Sequence, residues 1–313
     1  MSTTKQHPDH QNAASTGHYP IRTVANLTGI NPVTLRAWER RYQLITPQRT
    51  AKGHRLYSQM DIERIRRVLV LLDQGISISQ VSSMLDQEPD RLVVMPSKES
   101  VDIWEQYQER MLAAIRHFDE PALESIYNDA LSLYPVDLVN TRLTTPLLRH
   151  FGDRWMEQST VIAEEHFFSV YLRNKLGSRI HHLNQRNNGR QLLLACLPGE
   201  LHEIGMLFFA LAAVNRGYRV LLLGANMPLE HLPEVIRRRP CAAIVLSGSA
   251  RPPRNLLKEA LPEMVKRTGV PVFVGGGISE RHAEAVKAAG AICVGKDIQP
   301  ALQQIGETLA AAA

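Results

Sequence analysis

Glu200, His202 and Gly205 are the residues whose types and spacing best suit chemistry, and they close the stretch Leu192 to Gly205, LLLACLPGELHEIG. An imidazole is the commonest metal-ligating side chain, and a carboxylate two residues away can hold its second ring nitrogen and so set its tautomer. Gly205 removes a side chain where a bulky ligand must lie close to the backbone. The stretch begins as an apolar run, breaks at Pro198-Gly199 and resumes with helical spacing. That succession marks the first strand-to-helix turn of an open α/β sheet, whose ligands sit beyond the carboxyl ends of the strands. A solvated histidine beside a helix start has the same local pattern, so the weight falls on its surroundings.

Two other groups carry chemistry. Trp155 is followed, after nine residues, by Glu165-His166. An indole can cover an apolar or π surface with a large flat face, although a core Trp and a solvated Glu-His pair is the plainer reading. Near the N-terminus, Asn31 is an N-cap with Pro32 at the first helical position, opening a helix through Tyr42. It projects Thr34, Arg36, Arg40 and Arg41, with Trp38 among them. Arginine forks bond two acceptors at once, as phosphates and guanine edges require.

The elements that position these groups follow in order along the 313 residues. Residues 1–18 are polar and without periodicity, and are expected to be a disordered tail. From Tyr19, two short helices joined at Thr28-Gly29-Ile30 make a helix-turn-helix. A hairpin with Lys52-Gly53 at its tip then makes a wing, and helices over Asp61–Gln74 and Ser79–Leu85 complete a domain over 19–87. Residues 88–100 read as a linker. Helical segments over Val101–Phe118, Asp119–Tyr134, Val136–Glu157 and Thr160–Gln185 imply a four-helix bundle over 101–187. From 188 to 313, runs at Leu192–Leu197, Arg219–Leu223, Ala242–Leu246, Val270–Val274 and Ala291–Val294 alternate with helices, which predicts a doubly wound parallel sheet of five strands. Gly275-Gly276-Gly277 ends its fourth strand at the edge where His202 lies. Lacking a P-loop Lys-Ser/Thr and a G-x-G-x-x-G after the first strand, the sheet is poorly suited to nucleotides.

Charge is distributed unevenly. Between Tyr19 and Gln87 there are ten basic residues (nine Arg and Lys52) against five acidic, a difference that equals the net charge of +5 for the whole chain. The basic block therefore points to a polyanion partner for the first domain alone. Cys196, Cys241 and Cys293 form no CxxC pair, so reduced buried thiols are expected rather than disulfides, zinc sites or thiolate metal sensing. The polar N-terminus and the lack of a long apolar run lead to the expectation of a cytoplasmic protein.

Glu200-Leu-His202-Glu-Ile-Gly205 resembles the cobalamin-binding signature D/E-x-H-x-x-G. Its downstream parts have counterparts here: 41 residues separate Gly205 from Ser247, and 25 separate Ser249 from Gly275-Gly276. The departure is Ser249, where the pattern has Leu, and it is expected to change how the ligand's tail is lined. Thr34-Leu-Arg-Ala-Trp-Glu-Arg-Arg-Tyr42, with Arg49 and Gly53-His54-Arg55-Leu56-Tyr57, resembles the MerR family of winged-helix regulators. Trp155-x9-Glu165-His166 resembles the helical half of CarH-like cobalamin photoreceptors.

Together these resemblances imply a light-responsive, repressing, DNA-binding transcriptional regulator of the CarH/LitR type, not an enzyme, with adenosylcobalamin as chromophore. They imply His202 as lower axial cobalt ligand, Glu200 with Ser247 behind it fixing the tautomer, and Trp155, Glu165 and His166 around the adenosyl group. They imply α-helix Thr34–Tyr42 in the major groove of a double-stranded operator, with Lys52, Arg55 and Tyr57 of the wing on phosphates and Arg49 and His54 beside them. A homo-oligomer, dimer or tetramer, is implied as well. The alternatives are a regulator of the same build whose sensor answers a protein partner, and a corrinoid-carrying methyltransferase module.

In the photoreceptors a His commonly follows the motif Trp and captures the upper face of the cobalt once the adenosyl group leaves; here that position is Met156. A thioether is a soft ligand and cobalt(III) a hard ion, so Met156 is a poor substitute. After illumination the wild-type chain should therefore take up added imidazole or cyanide readily, and Met156→His should suppress that exchange while leaving dark binding unchanged. A bis-histidine absorption spectrum in the illuminated wild type, resistant to cyanide, would contradict this.

Overall fold

Parallel strands covered by helices on both faces need apolar side chains on both faces, and the five runs of the C-terminal half form such strands. The computed structural model describes residues 18–85, 102–154 and 159–311. Two compact units divide between Phe167 and Phe168, within one long helix.

The first unit opens with β1 (Tyr19–Pro20), α1 (Ile21–Thr28), α2 (Pro32–Tyr42), β2 (Gln48–Arg49), β3 (Arg55–Tyr57), α3 (Gln59–Asp73) and α4 (Ile78–Leu85). The turn between α1 and α2 needs Gly29, whose φ is 72°. Asn31 caps α2, its side chain accepting from the Val33 amide at 2.8 Å. β3 pairs antiparallel with both β1 and β2, which makes the wing part of a small three-stranded sheet. α3 starts two residues earlier than Asp61 because Ser58 and Asp61 form a reciprocal capping box.

Helices α5 (Ile103–Arg116), α6 (Glu120–Leu133), α7 (Val136–Val139) and α8 (Thr145–Arg154) follow, and α9 (Ser159–Asn184) begins in this unit. The third expected bundle helix is interrupted by a π turn, Asn140–Thr144. Pro146 explains it. Proline has no N–H for the carbonyl four residues back, and that carbonyl, of Arg142, accepts instead from Gln108 Nε2 at 2.8 Å. The π turn at Leu256–Ala260 precedes Pro262 in the same way.

The bundle braces the helix-turn-helix. Trp38 Nε1 donates to the Leu133 carbonyl at 2.8 Å and Thr34 Oγ1 to that of Leu131 at 3.4 Å. Carbonyls of a last helical turn have no partner within the helix, and α2 supplies donors for these two. Beside them the Tyr134 ring stacks obliquely on Trp104, centroids 4.6 Å apart, and its hydroxyl accepts from the Ile78 amide of α4. Arg142 donates to the Asp73 carbonyl at the end of α3.

The second unit holds the rest of α9, then β4 (Gln191–Cys196), α10 (Ile204–Asn215), β5 (Arg219–Gly224), α11 (Leu232–Arg238), β6 (Ala243–Ser247), α12 (Leu261–Thr268), β7 (Val272–Gly275), α13 (Gly277–Arg281), α14 (Ala283–Ala288), β8 (Ile292–Gly295) and α15 (Ile298–Ala311). All five strands are parallel, in the order β5-β4-β6-β7-β8. β4 thus lies between its successor and β6, so the winding reverses between β4 and β6 and opens a crevice at their carboxyl ends. α10 is apolar around nearly its whole circumference and is buried. The end of α9 is fixed to β5 by Asn184, which donates to the Val220 carbonyl at 2.9 Å and accepts from its amide at 2.8 Å. Among the described residues no helix is long and apolar enough to cross a membrane.

Candidate cofactor site and nucleic-acid interface

Glu200 lies in the crevice between β4 and β6, and its side chain is 3 % exposed. A buried carboxylate must be matched by donors, and five converge on it. The amide and Oγ of Ser249 and the amide of Ala250 reach Oε2; the amide of His202 and His202 Nδ1 face Oε1, at 2.9 and 2.8 Å. Burial by itself would raise the pKa of this carboxyl, but the bonds from Ser249, His202 and Ala250 outweigh it and bring it down to about 2. Glu200 is therefore a fixed anion at neutral pH.

A fixed anion at Nδ1 places the ring proton there and leaves the Nε2 lone pair pointing away. The His202 side chain is 78 % exposed, so this nitrogen is open to a ligand. The loop that carries it is tied down: Asn226 Oδ1 accepts from the Gly199 amide at 2.8 Å, and the Asn226 amide donates to the Glu200 carbonyl at 2.9 Å. Glu203 beside it accepts from Arg173 of α9.

The hydroxyl behind Glu200 belongs to Ser249, not to Ser247. Ser247 ends β6 and serves through its carbonyl, which accepts from the Leu197 amide at 2.9 Å. Ser249 thus holds Glu200, through its amide and its hydroxyl. Gly275 and Gly276 end β7 at the same edge; a Cβ on Gly276, whose φ is 80°, would lie 2.6 Å from the Gly248 carbonyl oxygen. A Cβ on Gly205 would meet nothing within 4 Å, so space beside the His202 loop is open.

Among the described residues no group of three or more His, Cys, Asp or Glu side chains could hold a bare ion. One exposed imidazole with its other nitrogen fixed suits a metal that arrives already held by a macrocycle, and in this the residues fit cobalamin. Cys196 ends β4 nearby, but burial, followed by the charges of Glu200 and Glu203, pushes its thiol up to about 12 and leaves it unreactive. Glu165 and His166 lie on α9 in the first unit, 3.9 Å apart, the histidine well exposed. Trp155 and Met156 lie outside the described residues.

At the helix-turn-helix the expected contact set divides. Arg36, Arg40, Arg41, Lys52 and His54 are exposed. Thr34 and Trp38 are not on the open face: both are fully buried, turned to α6. Tyr57 is also fully buried, and burial, then the Glu39 charge, push its hydroxyl up to about 12; it packs the wing and cannot reach a phosphate. Arg55 is mostly buried in an ion pair with Glu39, which Arg49 joins at 2.9 Å. These two arginines tie the wing to α2. Against the opposing effect of burial, they hold the Glu39 carboxyl below its usual range.

Residues 19–88 match the family described as MerR HTH family regulatory protein, and residues 107–179 and 190–302 each match a family described as B12 binding domain. The chain is 32 % identical to the HTH-type transcriptional repressor CarH of Myxococcus xanthus, over 84 % of this chain and 90 % of that one. It is 31 % identical to the repressor CarA of the same organism, over 87 % and 91 %. The monomethylamine corrinoid protein of Methanosarcina barkeri shares the fold of 66 % of the chain, with a TM-score of 0.50 at 16 % identity, and is itself covered to 99 %. Fold and site together define a MerR-type transcriptional regulator with a cobalamin-binding domain. The chain belongs to the family of such regulators that contains CarH and CarA.

Ser249→Ala removes one donor from a buried charge and should cost about 2 kcal/mol at neutral pH in a denaturant titration. Since Glu200 titrates lower in the folded chain than its ordinary 4.5, its contribution is present above that value and lost as pH falls toward 2. Raising the folded pKa by the substitution should move acid unfolding to higher pH. Equal stability and an equal acid midpoint in the two chains would remove the hydroxyl from this role.

Proposed function

We propose that this chain is a light-responsive repressor that binds adenosylcobalamin through His202 and operator DNA through α2, as a homo-oligomer in darkness. The observation that carries the reading is the Glu200–His202 pair at 2.8 Å, with Nε2 open to solvent at the crevice between β4 and β6. Adenosylcobalamin would supply a cobalt–carbon bond that light breaks.

The chain's own residues do the rest. His202 Nε2 would be the protein's ligand to the cobalt. Glu200 keeps the proton on Nδ1, and Ser249 with the Ala250 amide keeps Glu200 in place. Gly276, closely packed on Gly248, and Gly275, packed on Gly295 and Val294, keep side chains out of the strand ends where the cofactor's tail would enter. Trp155, Glu165 and His166 would hold the adenosyl group. A bound adenosyl group would favour one of two states of the helical bundle, as a ligand that contacts only one of them must. Because Thr34 and Trp38 fasten α2 to α6, a bundle that shifts carries the DNA reader with it. The repressing sense follows the names of the two relatives.

The test is to reconstitute the full chain with adenosylcobalamin in darkness and follow absorption, molecular mass by light scattering, and retention of a selected DNA duplex before and after illumination. The expected outcome is a coloured dark protein that retains DNA as the larger oligomer and loses both properties in light. A colourless chain that still holds DNA would favour a sensor that answers a protein partner. A coloured chain whose DNA retention ignores light would remove the light response.

A further inference from the structure

The open face of α2 differs from the one expected of it, and its chemistry is specific. With Thr34, Leu35, Ala37 and Trp38 buried, the exposed residues of the helix body are Val33, Arg36, Arg40 and Arg41. Val33, Arg36 and Arg40 span about 60° of arc at 3.6 residues per turn. Thr34 and Trp38, which α6 holds, face away from that arc, so the brace leaves it clear.

Val33 is 55 % exposed at the second position of the helix. A β-branched residue is a weak choice there on propensity alone, and its apolar surface stays in water although arginines flank it. Recognition helices meet base edges with their N-terminal residues, and the thymine C5-methyl is the apolar feature of the major groove. The flanking guanidinium groups supply the charge complementarity to a phosphate backbone.

We infer that Val33 is a specificity-determining residue that packs on the C5-methyl of a thymine, one helical turn from the base or phosphate taken by Arg36. The inference rests on the reading that α2 enters DNA, and deepens it by naming the base feature recognised.

Uracil lacks only the methyl group of thymine, which makes the test direct. A binding site is selected from random duplex DNA on the full-length protein loaded with adenosylcobalamin in darkness. Each thymine of that site is then replaced in turn by uracil. For the wild type, one replacement should weaken binding about fivefold, the loss of one methyl burial. Val33→Ala should bind the thymine and uracil duplexes within about twofold of each other, with its melting temperature not lowered, because Val33 is not part of the core. Arg36→Ala, by contrast, should weaken both duplexes and keep the thymine preference. Wild-type binding indifferent to every uracil overturns the inference and leaves DNA binding by α2 standing, as does a Val33→Ala chain that keeps the full preference. Failure to select any sequence overturns DNA reading itself and this inference with it.

Discussion

The structure depends most on one buried charge. Glu200 places a carboxylate in the interior of the sheet's crevice, where an unmatched anion would be very costly. It is tolerated because two loops donate to it, the one after β4 through His202 and the one after β6 through Ser249 and Ala250. Those loops are adjacent only because the strand order places β6 beside β4. Topology, the carboxylate and the direction of the His202 ring are thus one constraint. A different strand order would take the Ser249 and Ala250 donors from Glu200 and leave it only those of His202 on its own loop.

The sheet was legible in the sequence because parallel strands must be apolar on both faces, so five short runs separated by helical spacing leave few alternatives. Asn31-Pro32 and the Glu200–His202 spacing were legible for a similar reason: a cap and a carboxylate–imidazole pair are local chemistry. Ser249 was not. Ser247 and Ser249 share a strand face by spacing, but β6 ends at Ser247, and the backbone beyond it turns so that the amides of residues 249 and 250 both aim at Glu200. Where a strand ends within two residues is beyond what apolar periodicity resolves.

The burial of Thr34 and Trp38 has a different origin. Their partners are 97 and 95 residues away in the chain, and no local pattern on α2 records them. Helical spacing placed them beside the exposed arginines, and only α6 decides that this side of the helix is closed. Glu39 could have been noticed as the one carboxylate of α2, set beside Arg36, Arg40 and Arg41; its pairing with Arg49 and Arg55 explains why those two hold the wing. The π turns also have a visible cause after the fact, a proline four residues beyond an otherwise helical carbonyl. The consequence is that the helix-turn-helix is not a loose module: its α2 shares hydrogen bonds with α6 of the helical bundle.

The central claim is that Glu200 presents His202 Nε2 as a metal ligand in place of the cofactor's own base. Paramagnetic resonance of the full chain, labelled with 15N only in its histidines and reconstituted with cob(II)alamin, tests it most directly. An axial nitrogen splits the cobalt lines into triplets if it is 14N and into doublets if it is 15N. The account predicts doublets, reverting to triplets in the unlabelled chain. Triplets that persist in the labelled chain would show that the cofactor's own base remains bound, and would contradict it.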